Sequence, residues 1–243
     1  YSSIELNELA QAFNQMAETL HSTEQRRVEL IGNVAHELRT PLSNMKVTME
    51  GLIDHVLEAE PATFFSILRE VSRLQRLVHQ LEELSRVESG QISLKKELVD
   101  QRSVVRDVCH RLGIQYEDKG VTLNLTCPET LPQLYVDRDL ITQVLINLLG
   151  NALQYTPSGG TVTIRLTHKQ SFVTCEVTDT GIGIPPEQLV RIFERFYRVD
   201  KSRARSTGGN GIGLTIAKHL IQAHGGQIWA SSEGNGHGTT ISF

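Results

Sequence analysis

Val34-Ala35-His36-Glu37-Leu38-Arg39-Thr40-Pro41-Leu42 lies inside a long helical pattern, and its periodicity decides how the N-terminal part of the chain folds. Apolar residues recur at Ile31, Val34, Leu38, Leu42, Met45, Met49, Leu52 and Val56, steps of three and four that mark one buried helix stripe. At about 100° per residue, His36 sits roughly 200° around the helix from Val34 and from Leu38. The imidazole is therefore presented to solvent, beside the carboxylate of Glu37 and just ahead of a proline that disturbs the helix ladder. A solvent-facing histidine is most often only a solvated side chain. A chemical role for His36 requires a phosphate donor elsewhere in the chain.

Upstream, Ile4, Leu6, Leu9, Phe13, Met16 and Leu20 keep near-helical spacing, with no helix breaker before Gly32, which predicts one helix running into the histidine stretch. Downstream the histidine helix is expected to fade near Glu58, and Pro61-Ala62-Thr63 to connect into a second helix. Phe64, Ile67, Val71, Leu74, Val78, Leu81 and Leu84 carry its stripe to about Val87, and Ser89-Gly90 stops it. Two long helices joined by a short loop form an antiparallel hairpin. A lone hairpin covers neither apolar face well, so the expectation is a homodimer whose two hairpins make a four-helix bundle.

The 243 residues allow one or two domains, and 39% hydrophobic content is ordinary for a soluble chain. A net charge of −4 gives no reason to expect nucleic acid as a partner. Cys109, Cys127 and Cys175 show no paired spacing, which speaks against a zinc site or disulfide framework. No apolar run approaches a membrane span, and the chain starts at Tyr1 without a methionine; it reads as a soluble fragment of something longer.

Beyond Gly90 the pattern becomes α/β. A short strand is expected at Ile92-Ser93-Leu94, a helix over roughly 101–118, and strands at 121–126 and 134–136. From Asp137 to Gln154 runs an unusually apolar helix in which Asn147 and Asn151, spaced i, i+4, share a face. Asparagine is a poor helix former, so the pair serves either structural hydrogen bonds or, as neutral oxygen ligands, Mg²⁺ and phosphate. Thr161–Leu166 and Val173–Thr178 alternate apolar and polar residues and read as an antiparallel pair. The second delivers Asp179, followed by Thr180-Gly181-Ile182-Gly183-Ile184-Pro185. A carboxylate at a strand end next to glycines suits close approach of a flat polar ligand such as a purine, although acidic turns are common.

The stretch from Pro185 to Thr207 carries Arg191, Arg195, Arg198, Lys201, Arg203 and Arg205, and leads into Gly208-Gly209-Asn210-Gly211-Ile212-Gly213 at the start of a helix, Leu214 to His224. Glycines at a helix N-terminus let backbone N–H groups approach an anion. No Gly-Lys-Ser/Thr follows, so this is not a P-loop, and a basic loop rather than a strand precedes it, unlike a dinucleotide fingerprint. Strands at Gln227–Ser231 and Thr239–Phe243 form a closing hairpin.

Together these stretches resemble the sensor histidine kinases of two-component systems. VAHELRTPL resembles the family's histidine box, NLLGNALQYT its asparagine box, DTGIGIP its first glycine box, IFERFYR its phenylalanine box and GGNGIGL its second glycine box, in the family's order. ELNELAQAFNQMAETL resembles the second helix of a HAMP linker. The resemblance implies a HAMP-derived signalling helix over 1–23, a dimerising histidine-phosphotransfer hairpin over 24–90 and an ATP-binding domain over 91–243. That last domain would have the Bergerat (GHKL) fold, an α/β sandwich shared with gyrase and the Hsp90 chaperones.

The resemblance also implies roles. His36 would accept the phosphoryl group, Glu37 would hydrogen-bond or deprotonate its ring, and Thr40 would orient water when the partner regulator is dephosphorylated. Asp179 would accept from the adenine amino group and Tyr155 would pack on the base. Asn151, supported by Asn147, would hold Mg²⁺. Gly181 and Gly183 would line the base, and Gly209, Gly211, Gly213 and Leu214 would meet the phosphates. One departure is Gln154, where many relatives carry a lysine or arginine; Arg198 or Lys201 would then supply that charge. The implied partners are a second copy of the chain and the receiver domain of a response regulator. The implied setting is the cytoplasmic part of a sensor anchored in a bacterial inner membrane.

Two other readings compete with an ATP-dependent autokinase. A gyrase-type ATPase would need an acidic general base on the nucleotide helix, where Asn147 stands. A nucleotide-binding scaffold without chemistry would not need the complete set of boxes.

Overall fold

The computed structural model describes residues 2–90, 92–199 and 209–243, which fall into two compact units, Tyr1–Arg76 and Leu77–Phe243. The first unit contains helix α1 (Ser2–Ile53) and the beginning of α2 (Pro61–Glu88). α1 runs unbroken through Pro41, which is buried. Having no N–H, Pro41 leaves the carbonyl of Glu37 without its helical donor. α1 ends earlier than the periodicity suggested. His55 is left-handed (φ 57°), and the amides of Val56 and Leu57 both turn back to the carbonyl of Gly51, so Val56 leaves the stripe. α2 starts on Pro61 itself, in the first helical position where proline's missing donor is harmless.

Within this unit the expected stripe is only partly covered. Val34, Leu38, Met45 and Leu52 are half-buried, whereas Ile31, Leu42 and Met49 are 60%, 52% and 46% exposed. One hairpin has too little apolar surface opposite to close over them. Polar contacts between α1 and α2 fix the hairpin's register: Asn44 Nδ2 donates to Glu70 Oε1 at 3.3 Å, and the Arg73 guanidinium stands 3.8 Å from Glu37 and 3.9 Å from Glu70.

The second unit begins with the last turns of α2, where Leu77, Leu84 and Val87 are buried. β1 (Glu97–Val99), α3 (Gln101–Lys119), β2 (Thr122–Thr126), β3 (Leu134–Val136), α4 (Arg138–Tyr155), β4 (Thr161–Lys169), β5 (Phe172–Asp179), α5 (Gly213–Ala223), β6 (Trp229–Ser231) and β7 (Thr239–Ser242) follow. The expected strand at 92–94 is displaced to 97–99. Pairing with β3 sets Glu97 opposite Val136, and the amide of Lys95 is already taken by Asp137 Oδ2 at 2.8 Å.

β2, β4, β5, β7 and β6 form a five-stranded sheet in that order, with β2 parallel to β4 and the other pairs antiparallel. Strand alternation divides the sheet into two faces. Val162, Ile164, Leu166, Cys175, Val177 and Ile241 share a buried face, with Ile164 opposite Val177 and Val177 opposite Ile241. Arg165 stands opposite Glu176 on the other side, where the Thr178 and Thr240 hydroxyls hydrogen-bond at 3.0 Å. α4 covers the apolar face between α3 and α5, burying Ile141, Val144, Leu145, Leu148, Leu149 and Ala152. This is an α/β sandwich with a solvated outer sheet face.

Asp137 organises the start of α4. Its Oδ1 caps the amides of Asp139 and Leu140, its Oδ2 takes the Lys95 amide, and its own N–H donates to His224 Nε2 at 3.1 Å. Replacing Asp137 with Ala removes the cap and strands the Lys95 amide. It should destabilise the folded chain by about 2 kcal/mol, read as a lower urea midpoint by circular dichroism; an unchanged midpoint would contradict this account.

Candidate active site

On α1, His36 is exposed, and its side chain makes no hydrogen bond to another described residue, as its position opposite the stripe requires. Thr40, one turn on, directs its hydroxyl to the His36 carbonyl at 3.4 Å. Glu37 is not a free surface carboxylate. It is half-buried beside Arg73 of α2, which also faces Glu70. Arg73 was invisible to periodicity, because its closeness to Glu37 depends on the hairpin's register.

In the second unit the alternation of β5 decides where Asp179 points. Cys175 and Val177 face the helices, and Asp179 continues that side, at the end of the strand beside α4. Its Oδ1 accepts from the amides of Gly181 (2.8 Å) and Thr239 (3.2 Å). Burial raises the Asp179 carboxyl above its usual range, and the two amides only partly offset this.

The glycines that follow are demanded by close backbone approach. A Cβ on Gly181 would lie 2.5 Å from the Tyr155 carbonyl and 2.7 Å from Asp179 Oδ1. Gly183, at φ +71°, would put one 1.9 Å from the Gly234 carbonyl. This loop is tied to α4 by Ile182 N–H to the Tyr155 carbonyl and to the β6–β7 turn by Gly236 N–H to the Ile182 carbonyl. Ser232 joins the same turn, accepting from Ile184 N–H at 3.0 Å and donating to the Gly238 carbonyl. Ser232 and Thr239 were not legible in the sequence, since both contribute through tertiary contacts.

Asn147 and Asn151 are half-buried on one face of α4. Among the described residues Asn147 Nδ2 is buried without a partner, and the Asn151 side chain makes no hydrogen bond. No structural hydrogen bond among the described residues accounts for the pair, and two amide oxygens on one helix face suit a hard cation. Among the described residues no cluster of three or more His, Cys, Asp or Glu side chains offers an alternative metal site. Asn147 lies against Gly213, the first residue of α5, with Leu214 next to it.

Gln154 lies against Gly209, where an added Cβ would meet its Nε2 at 2.6 Å; that nitrogen is buried without a partner among the described residues. Gly211 (φ +67°) lets its carbonyl accept the amide of Phe196, itself left-handed at φ 57°, so the phenylalanine and second glycine stretches are held together. Thr215 reinforces this, donating to the Phe193 carbonyl at 3.0 Å. Asn210 Nδ2 donates to Gln80 Oε1 at 3.3 Å, and Arg195 pairs with Glu88. Tyr155, the last residue of α4, is 38% exposed, and Arg198 is half-buried. Lys201 lies outside the described residues.

Residues 26–90 match the His Kinase A (phospho-acceptor) domain, and residues 136–243 match the histidine kinase-, DNA gyrase B- and HSP90-like ATPases. The chain belongs to the sensor histidine kinases. It is 40% identical to the sensor histidine kinase WalK of Bacillus subtilis (strain 168) over 225 residues, covering 90% of this chain and 36% of WalK. It is 36% identical to the signal transduction histidine-protein kinase BaeS of Escherichia coli (strain K12) over 230 residues, covering 95% of this chain and 49% of BaeS. The chain thus spans less than half the length of either relative. Among solved structures, the Acinetobacter baumannii histidine kinase AdeS superposes with a TM-score of 0.71 at 31% identity, covering 86% of this chain and 96% of that one. Full-length ShkA in complex with AMPPNP gives 0.65 at 31% identity, covering 88% and 45%.

Asp179→Asn keeps an oxygen for both amide donors, so the fold should survive. A carboxylate whose folded pKa is raised contributes stability that is complete below the unfolded pKa and lost as pH rises through the folded one. The variant should therefore melt no lower than the parent at pH 8. Its affinity for ATP should fall at least about tenfold, as loss of a charged hydrogen bond implies. Titration calorimetry and thermal melts check both; unchanged affinity would remove Asp179 from the site.

Proposed function

We propose that the chain is the catalytic part of an ATP-dependent protein-histidine kinase that phosphorylates His36 and passes the phosphoryl group to an aspartate of a response regulator. The observation carrying this reading is one chain holding both an exposed imidazole and, in a member of this family, an α4 face with two asparagine amides, none of them hydrogen-bonded to another side chain or backbone group among the described residues. ShkA was solved with a nucleotide analogue, which supports the nucleotide assignment.

In this mechanism an imidazole nitrogen of His36 attacks the γ-phosphorus of ATP, the bond to the β–γ bridging oxygen breaks, and ADP leaves. Glu37, oriented by Arg73, accepts the imidazole N–H proton. Asp179 accepts from the adenine amino group and Tyr155 packs on the base. Gly181 and Gly183 let the backbone come close to the base. Gly209, Gly211, Gly213 and Leu214 present the start of α5 to the phosphates, and Arg198 or Lys201 would supply the cation. Asn151 and Asn147 would hold Mg²⁺, which neutralises phosphate charge when bound. Gln154 offers an amide where relatives often offer a cation.

The exposed residues of the α1 stripe support a homodimer, in which two hairpins close a four-helix bundle. A chain with the same fold occurs in the complex of the histidine kinase ThkA with the response regulator protein TrrA, which gives the regulator partner a precedent. The same reading places 1–23 as a HAMP-derived helix, 24–90 as the phosphotransfer hairpin and 91–243 as the ATP-binding domain. It places the whole protein at the cytoplasmic face of a bacterial inner membrane, anchored by segments outside this chain; no helix among the described residues is itself long and apolar enough to cross one. Thr40 would serve a phosphatase reaction on the regulator.

With γ-labelled ATP and Mg²⁺, the protein should acquire an acid-labile, alkali-stable label that His36→Gln lacks entirely; label retained by that variant would refute the assignment. Thr40→Ala should slow regulator dephosphorylation by roughly tenfold or more, the scale of a lost water-positioning contact, while autophosphorylation changes little. Equal loss of both would remove the specific phosphatase role.

A further inference from the structure

We propose that Lys119, assisted by Tyr116, is a positioning residue for the nucleotide site, setting where α4 ends and thereby where Asn151, Tyr155 and the Asp179 loop stand. This inference rests on the reading of α4 as the nucleotide helix.

The last four carbonyls of an α-helix have no donor within the helix. In α4 these belong to Ala152, Leu153, Gln154 and Tyr155. The Ala152 carbonyl accepts the amide of Thr156 at 3.1 Å and its hydroxyl at 2.7 Å. The Tyr155 carbonyl accepts Ile182 N–H at 3.3 Å. The two between them are both taken by one side chain from α3: Lys119 Nζ donates to the Leu153 carbonyl at 2.5 Å and to the Gln154 carbonyl at 2.9 Å.

α4 has no basic residue in its own last turn. The Lys119 ammonium therefore supplies the positive charge that the negative end of a helix dipole favours. One turn back along α3, the buried Tyr116 hydroxyl donates to the Leu149 carbonyl at 2.8 Å. Asn151 lies between Leu149 and Leu153, the carbonyls that Tyr116 and Lys119 hold. α3 itself stops cleanly at this point, with Gly120 left-handed at φ 69°, so the lysine is delivered from a rigid end rather than a loop.

The connection runs on to the base-binding side. The Tyr155 carbonyl holds Ile182, and Gly181 packs against the same carbonyl while its N–H donates to Asp179. If the Lys119 bonds are lost, the last turn of α4 is free to fray, and Tyr155 and the Asp179 loop lose their common anchor. The asparagines, the aromatic ring and the adenine acceptor would then no longer be held in one arrangement.

The test compares the full chain with Lys119→Met, which keeps the aliphatic stem and removes the donors, and Lys119→Arg, which restores donors and charge. AMPPNP with Mg²⁺ is titrated calorimetrically at a temperature well below each melting point, and autophosphorylation is measured against ATP concentration. Lys119→Met should raise Kd for AMPPNP and KM for ATP by about tenfold, as loss of a charged hydrogen bond implies, with kcat much less affected, and Lys119→Arg should recover most of the loss. A Met variant that melts lower but binds AMPPNP with parental affinity would overturn the proposal, leaving Lys119 a purely structural contact. Should the Met variant not fold, Tyr116→Phe, lacking one hydroxyl, carries the same test: a severalfold rise in Kd, on the scale of one neutral hydrogen bond, supports it, and parental affinity overturns it. If the parent chain itself fails to bind AMPPNP, the nucleotide assignment falls; if the parent binds and the variants match it, only the Lys119 inference does.

Discussion

The packing of one face of α4 against the sheet is the contact from which the second unit takes its order. Ile141, Val144, Leu145, Leu148, Leu149 and Ala152 are buried where α4 meets the sheet at β5, with α3 and α5 on either flank. Burying several large aliphatic side chains supplies roughly 1.5–3 kcal/mol each before entropy is charged against it. That face leaves α4 no rotational freedom, so Asn147 and Asn151 fall together on its flank, half-buried, with no side-chain hydrogen bond to another described residue. Polar groups at both ends then set its length: Asp137 at the start, and Thr156, Lys119 and the Ile182 amide at the finish.

The first unit shows the opposite balance. Its hairpin is long, its two helices carry continuous apolar stripes, and much of the stripe on α1 remains exposed in a single copy. Three polar side chains, Arg73, Glu70 and Asn44, do much to define the register in which α1 meets α2. The same register brings Arg73 to Glu37, so the geometry beside His36 is a by-product of how the hairpin zips. His36 itself is kept off that seam by two residues of helical phase.

Much of this was legible because local rules and the fold agree. The helix expected over roughly 101–118 and found at Gln101–Lys119, the antiparallel β4–β5 pair, and the placement of Asp179 and both asparagines followed from periodicity and turn residues. The first short strand was misplaced because a three-residue strand has too little pattern of its own; its position comes from pairing with β3 and from the claim of Asp137 on the Lys95 amide. The end of α1 was missed because His55 in a left-handed conformation interrupts a helix without any glycine or proline to announce it.

What the sequence determined by itself is whatever depends on neighbours three or four residues apart in a helix or two apart in a strand. That includes the stripe that turns His36 outward, the shared face of Asn147 and Asn151, and the alternation that carries Asp179 onto the helix side of β5. Only the tertiary structure decided the rest: Arg73 beside Glu37, Thr239 and Ser232 around the Asp179 loop, and Lys119 on the end of α4. Those contacts join residues far apart in the chain through single polar atoms. Such pairings leave no periodic trace, because they depend on the relative register of two separately formed elements.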